Sequence, residues 1–96
     1  MVYLYLGIIC GELNNDGNAK NCFEKALSIK EDPIVLFNYI VFLLRKKMLN
    51  EVTEKFERLL KIYSKHKKAN EEYQLIEAQI PIIKKILGIN KGEKKS

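Results

Sequence analysis

Cysteine, histidine and paired carboxylates are the side chains of this sequence that could act as nucleophiles, bases or metal ligands. Cys10 and Cys22 are the two cysteines, and their spacing matches neither a CxxC motif nor another metal-binding pattern. His66 is the only histidine, and it stands in a basic run that is typical of a solvated surface. The sequence has no glycine-rich phosphate loop and no pair of carboxylates with a partner histidine. It therefore predicts no enzyme, no metal site and no cofactor.

The apolar start of the chain and the cysteines suggest a cytoplasmic protein. We interpret both cysteines as reduced thiols of a helical core, with a disulfide between neighbouring helices as the alternative. Residues 1–10 contain no charged side chain, yet they lack the basic segment and the cleavage site of a signal peptide. They are also too short to span a bilayer, which takes about 20 apolar residues. We expect them to form a buried helix.

Apolar residues at helical spacing, separated by turn residues, predict a helical chain. In residues 2–13, Tyr3, Leu6, Cys10 and Leu13 recur at steps of three and four. Gly7 lies on this stripe and predicts the close approach of a neighbouring helix. The turn Asn14-Asn15-Asp16-Gly17 ends the first helix, and a second begins near Asn18.

The third and fourth helices have predicted start signals. Asp32 is expected to cap the third helix, and Pro33 suits its first turn. This helix is apolar on nearly every side, which indicates burial between neighbours or, alternatively, an open groove. Asn50 is a candidate N-cap for the fourth helix. In that helix Glu51 with Lys55, and Glu54 with Arg58, are expected to form surface pairs one turn apart.

A fifth helix is predicted from Tyr73, Ile76, Ile80, Ile83 and Leu87, which recur at steps of three and four. Pro81 removes a backbone donor within this pattern, so we expect a kink or a split near Ile80. Gly88 is the expected C-cap. Residues 89–96 contain no apolar residue after Ile89 and are predicted to be a disordered basic tail.

The chain repeats itself. The string Cys22-Phe23-Glu24-Lys25-Ala26-Leu27 returns 33 residues later as Lys55-Phe56-Glu57-Arg58-Leu59-Leu60, and a period of this length is typical of solenoids built from helix pairs. Residues 3–30 align with residues 36–63 in the same register. The equivalent positions are Tyr3 and Leu36, Leu6 and Tyr39, Gly7 and Ile40, Cys10 and Leu43, Ala19 and Val52, Phe23 and Phe56, and Ala26 and Leu59.

This pattern resembles the tetratricopeptide repeat, most closely in Tyr3, Leu6-Gly7, Ala19, Phe23, Ala26 and the closing Pro33. The second copy departs from it at Ile40, Val52 and Leu59, so its helices are expected to pack more widely. The resemblance implies an all-α fold, an α-α superhelix of antiparallel helix pairs. It implies one domain over residues 1–88, with repeats at about 2–33 and 34–67 and a capping helix at about 69–88.

The resemblance also implies a non-enzymatic scaffold for protein–protein interaction. Partners would be other helical-repeat subunits or a second copy of the chain. A narrower similarity, in Asn18-Ala19-Lys20, Glu31-Asp32-Pro33 and Asn38-Tyr39-Ile40-Val41, is to a repeat subunit of the BBSome coat. It implies a role in ciliary membrane-protein transport and a ciliary or centrosomal location.

Two interaction surfaces are predicted. The first helix starts without a cap, so we expect an open edge that meets a partner through Val2, Tyr5, Ile8 and Ile9. As an alternative function, the third helix could hold a peptide in an apolar concave groove formed by Ile34, Phe37, Asn38, Val41 and Arg45.

The distribution of charge suggests a further alternative function. The net charge is +5, and the basic residues lie mostly after residue 33. They include Arg45-Lys46-Lys47, Lys65, Lys67, Lys68 and Lys84-Lys85. Such a distribution could attract an anionic membrane surface. Nucleic acid is a weaker expectation, because basic and aromatic residues do not interleave on a binding surface.

Overall fold

The computed structural model describes residues 2–65 and 71–88, which form five α-helices and no strand. The helices are α1 (Val2–Glu12), α2 (Asp16–Ile29), α3 (Pro33–Arg45), α4 (Leu49–Lys65) and α5 (Glu71–Leu87). Two compact units contain them. Met1–His66 includes α1 to α4, and Lys67–Ser96 includes α5. The all-α prediction is therefore confirmed.

Several predicted helix boundaries are confirmed. The carboxylate of Asp32 accepts a hydrogen bond from the backbone N–H of Ile34 at 2.7 Å, and Pro33 is the first residue of α3. Gly88 follows α5 with a φ of 73°, and this left-handed conformation is the one that favours glycine after a helix.

Other boundary predictions are wrong. Helix α2 begins at Asp16, two residues before the predicted Asn18, and α4 begins at Leu49, which places Asn50 inside the helix instead of at its cap. Helix α5 is continuous through Pro81, so of the predicted kink or split the split does not occur. Proline at this position leaves one backbone carbonyl without its usual donor but does not end the helix. Residues 69, 70 and 89–96 of the predicted cap and tail lie outside the described residues.

In the first unit the helices form two hairpins. Helix α1 packs chiefly on α2, and α3 packs chiefly on α4, each pair being joined by three residues. Helix α3 also contacts both helices of the first hairpin. The first hairpin thus packs against the second through α3.

The two hairpin turns have the same backbone hydrogen bonds at a spacing of 33 residues. The N–H of Asn15 donates to the carbonyl of Cys10 at 2.8 Å, and the N–H of Met48 donates to that of Leu43 at 3.0 Å. Asn14 and Lys47, which precede these donors, both have left-handed backbone, with φ of 62° and 61°. This is the Schellman arrangement that ends many helices. The sequence repeat is therefore also a repeat of local structure.

Phe23 is at the centre of the core between the hairpins. Its ring stacks on Tyr39 with centroids 5.0 Å apart, and it lies 5.8 Å from the ring of Phe42. Only 1% of Phe23 is exposed. Because Phe23 belongs to α2 and both partners belong to α3, aromatic packing joins the two hairpins.

Candidate interaction surface

Helix α1 and the residue that follows it expose a continuous apolar stripe. The residues are Val2 (68% exposed), Tyr5 (61%), Leu6 (42%), Ile9 (54%) and Leu13 (73%). Four of them recur at steps of four, three and four, so they lie on one side of the helix. We call these five residues the open stripe. Large contiguous apolar surfaces are uncommon on monomeric proteins and are typical of interaction sites.

The opposite side of α1 is buried against the rest of the hairpins. Leu4, Gly7 and Gly11 are its buried residues. A methyl group on Gly7 would lie 3.1 Å from the ring of Phe23, and one on Gly11 would lie 3.0 Å from the ring of Phe42. The close approach predicted at Gly7 is confirmed, and it allows aromatic rings to rest directly on the α1 backbone.

The predicted open edge overlaps the open stripe without matching it. Val2, Tyr5 and Ile9 are exposed, whereas Ile8 is partly buried and faces a different cavity. The predicted edge omits Leu6 and Leu13, because their helical spacing with Tyr3 and Cys10 predicts that they lie on the packed side. The spacing of Val2, Leu6, Ile9 and Leu13 is the signal that identifies the exposed side.

A groove lies between α1 and α2 beside the open stripe. Its cavity has a volume of about 320 Å³ and is lined by Tyr3, Leu6, Cys10, Asn18, Asn21, Cys22 and Lys25. We call it the α1–α2 groove. A second cavity, of about 460 Å³, is lined by Val2 of the open stripe and shares Tyr3 with the first. Both cysteines are free and partly buried, and burial together with the nearby Cys10 raises the pKa of the Cys22 thiol.

The second hairpin has an equivalent groove that is covered. Adding 33 to each residue number gives Leu36, Tyr39, Leu43, Glu51, Glu54, Lys55 and Arg58. Leu36 and Leu43 are 0% exposed and Tyr39 is 1% exposed, whereas Leu6 is 42% exposed at the position equivalent to Tyr39. The difference arises because α2 lies over the second groove, whereas no other helix of the first unit lies over the first groove.

Side chains of α2 make the polar contacts in the covered groove. The Tyr39 hydroxyl donates to Glu24 at 2.8 Å, and the Lys55 ammonium lies 3.4 Å from the same carboxylate oxygen. Burial and the hydrogen bond to Glu24 raise the pKa of Tyr39. Burial alone would raise the pKa of Glu24, but the Tyr39 hydroxyl and the Lys55 charge outweigh it and lower that pKa.

The surface pairs predicted within α4 are wrong. Lys55 is 7% exposed and pairs with Glu24 and Glu54 instead of Glu51. Arg58 pairs with Glu31, and Glu51 pairs with Lys20. Glu51, Lys55 and Arg58 thus bind partners on α2 or the residues after it, because the packed hairpin brings those partners close to them.

The residues of the predicted peptide groove share one side of α3. Ile34, Phe37, Asn38 and Val41 are partly buried, and Arg45 is exposed. Three of them, Asn38, Val41 and Arg45, line a cavity of about 170 Å³ together with Ile8 of α1. Two polar groups are already engaged. Asn38 donates to the carbonyl of Ile34 at 2.8 Å, and Arg45 pairs with Glu12 at 3.0 Å.

The basic run after α3 is partly neutralised. Lys46 lies 3.2 Å from Asp16, and Arg45 is held by Glu12. Lys67 and Lys68 lie outside the described residues. Within residues 2–65 and 71–88, no group of three or more His, Cys, Asp or Glu side chains could hold a metal ion. In the same residues, no helix has the length and apolar character needed to cross a bilayer.

Comparisons with protein-family models, with curated proteins and with solved structures find no match to this chain.

Proposed function

We propose that this protein is a non-enzymatic scaffold of the tetratricopeptide type, which binds another helical protein through the open stripe and the α1–α2 groove. One observation carries the proposal. Positions that are buried beneath α2 in the second hairpin are open in the first, although the two hairpins share their turns and their hydrogen bonds. A helix pair that buries one face only against a neighbour needs a neighbour on each side.

The expected contact is apolar. The open stripe contains no charged side chain, and burying a branched or aromatic side chain contributes about 1.5–3 kcal/mol. Several such residues have to be buried together, because association costs about 4–15 kcal/mol in lost translational and rotational freedom. The chain's narrower similarity to a BBSome subunit, and with it a ciliary or centrosomal location, stays a prediction from the sequence alone.

The alternative is peptide binding between α1 and α3. The cavity formed by Asn38, Val41, Arg45 and Ile8 favours it, because its volume suits one apolar side chain. The Asn38 amide and the Arg45 guanidinium would have to exchange their present partners to bind a peptide. The anionic-membrane alternative is less favoured, because Arg45 and Lys46 are in ion pairs.

The proposal is tested by comparing Leu6→Glu with Leu49→Glu. Leu6 and Leu49 are 42% and 48% exposed, but only Leu6 belongs to the open stripe. We expect the wild-type chain to bind 1-anilinonaphthalene-8-sulfonate, or to self-associate, and Leu6→Glu to abolish this behaviour. Leu49→Glu should leave it unchanged. Circular dichroism checks that both variants stay helical, and equal effects of the two substitutions would contradict the proposal.

A further inference from the structure

The covered groove shows which side chains a helix needs when it lies over a hairpin of this chain. Helix α2 and the residues after it place three charged groups along the α3–α4 groove. Lys20 lies 2.9 Å from Glu51, Glu24 meets both Tyr39 and Lys55, and Glu31 binds Arg58. Each of these three charges therefore has a partner of opposite charge or a hydrogen-bond donor on the groove.

The open groove has a different set of partners at the same positions. Asn18 replaces Glu51, Cys22 replaces Lys55, and Leu6 replaces Tyr39. Only the position of Arg58 keeps its charge, as Lys25. A helix that covers the α1–α2 groove in the manner of α2 would therefore meet a surface that is mostly neutral.

The position of Glu24 is a point of difference. In the covered groove its carboxylate accepts a hydrogen bond from the Tyr39 hydroxyl and forms an ion pair with Lys55. The equivalent carboxylate over the open groove would face Leu6 and Cys22, which offer neither an ammonium nor a hydroxyl. Removing a carboxylate from water without such partners is unfavourable, so an apolar side chain suits this position better.

The position of Glu31 is where the two grooves agree. Its carboxylate binds Arg58, and Lys25 is the equivalent cation on the open groove. The ammonium of Lys25 lies 5.4 Å from the centre of the Tyr3 ring, and no described carboxylate lies within ion-pair distance of it. A covering helix with a carboxylate near its C-terminal end would complete this pair.

We infer that the partner of the α1–α2 groove is an amphipathic helix that is apolar where α2 has Glu24 and carries a carboxylate facing Lys25. The inference rests on the proposed function, and it adds the chemistry of the partner. It also disfavours an unchanged copy of α2 as the occupant, because that helix would place Glu24 over Leu6 and Cys22.

The test supplies the covering helix by fusion. Residues 1–33 are joined directly before Met1 of the full chain, which preserves the 33-residue spacing of the hairpins. In the added copy both cysteines are serine, so Cys10 and Cys22 of the original groove are the only thiols. Three fusions are compared: an unchanged copy, a copy with Glu24→Leu, and a copy with both Glu24→Leu and Glu31→Lys. The rate of Cys22 reaction with a thiol reagent reports groove coverage, and the unfolding midpoint is measured in parallel.

The fusion brings the helix to a millimolar effective concentration, so a helix of about 0.1 mM affinity would cover about nine tenths of the grooves. We expect Glu24→Leu to slow thiol reaction about tenfold relative to the unfused chain. The unchanged copy should slow the thiol reaction of Cys22 roughly three- to tenfold less than the Glu24→Leu copy. Adding Glu31→Lys should remove part of the protection that Glu24→Leu provides.

The outcomes separate the inference from the proposed function. Equal protection by all three fusions, or better protection by the unchanged copy, would overturn the inferred chemistry and leave the groove as a helix-binding site. No protection by any fusion, with unchanged unfolding midpoints, would overturn both.

Discussion

The two hairpins have the same local structure and different interiors. Their turns match hydrogen bond for hydrogen bond, yet Gly7, Ala19 and Ala26 in the first stand where Ile40, Val52 and Leu59 stand in the second. The small residues let the Phe23 ring rest on α1 while it also reaches α3, whereas the second hairpin fills its interior with its own branched side chains. One backbone repeat can thus serve either to connect hairpins or to form a self-contained core.

The hairpins also differ in what covers them. The outer side of α3 is covered by α2, and the equivalent side of α1 is exposed through the open stripe. The polar residues follow this difference. The covered groove has Glu51, Lys55 and Arg58 with partners on the covering segment, and the open groove has Asn18, Cys22 and Lys25. The chain itself therefore shows what a complete interface requires.

The largest effect is expected from Phe23→Ala, which removes the ring that joins the hairpins. Replacing a buried phenylalanine by alanine costs about 3–5 kcal/mol, and Phe23 contacts α1 as well as two rings of α3. We expect a loss of this size in the free energy of unfolding, measured by urea denaturation. Phe23→Leu should retain most of the stability. A loss below about 1 kcal/mol for Phe23→Ala would show that the hairpins are not joined through this ring.

Alanine substitutions at two glycines are expected to change the stability by an intermediate amount, and the two changes have opposite signs. Alanine at Gly7 would place its methyl 3.1 Å from three atoms of the Phe23 ring, which is held between α1 and α3. Overpacking of this kind costs about 1–3 kcal/mol and should exceed the helix-propensity gain of up to about 1 kcal/mol.

Gly17→Ala is the matched control, because nothing lies within 4 Å of its added methyl. It should raise the unfolding midpoint while Gly7→Ala lowers it. If both substitutions stabilise the chain, the ring can shift and the small residues of the first hairpin are not needed for close packing.

The smallest effect is expected in the acid dependence of stability. The pKa of Glu24 is lower in the folded chain than its ordinary value, so its carboxylate form favours folding. That contribution is complete above the unfolded pKa and is lost as the pH falls through the folded pKa. Between about pH 5 and pH 3, wild type should therefore lose more stability than Glu24→Gln.

Glu57→Gln provides the control for this measurement, since Glu57 is an exposed glutamate on α4. It should keep the acid dependence of wild type in urea denaturation series. If Glu24→Gln keeps the acid dependence of wild type, the contact of Glu24 with Tyr39 and Lys55 adds no stability. The charges of the covered groove would then not determine which helix covers it.

Much of the fold followed from local signals in the sequence. These signals are the helical spacing, the Asp32-Pro33 start signal and Gly88. Each depends on only a few neighbouring residues, so it can be recognised without the tertiary structure. The boundaries predicted at Asn18 and Asn50 are wrong by one or two residues, because several neighbouring turn residues can each serve as the start of a helix. The site was predicted only in part: Val2, Tyr5 and Ile9 are exposed, and Leu6 and Leu13 were assigned to the packed side.

By itself, the sequence determined that the chain is helical, that it repeats every 33 residues, and that Gly7 needs a close neighbour, because these properties depend on spacing along the chain. Only the tertiary structure decided which side of α1 is open and which charges pair, since both depend on the helices that pack beside them. Lys55 illustrates the difference. One turn from Glu51 in sequence, it binds Glu24 of another helix, because packing brings that carboxylate to a buried ammonium that needs a partner.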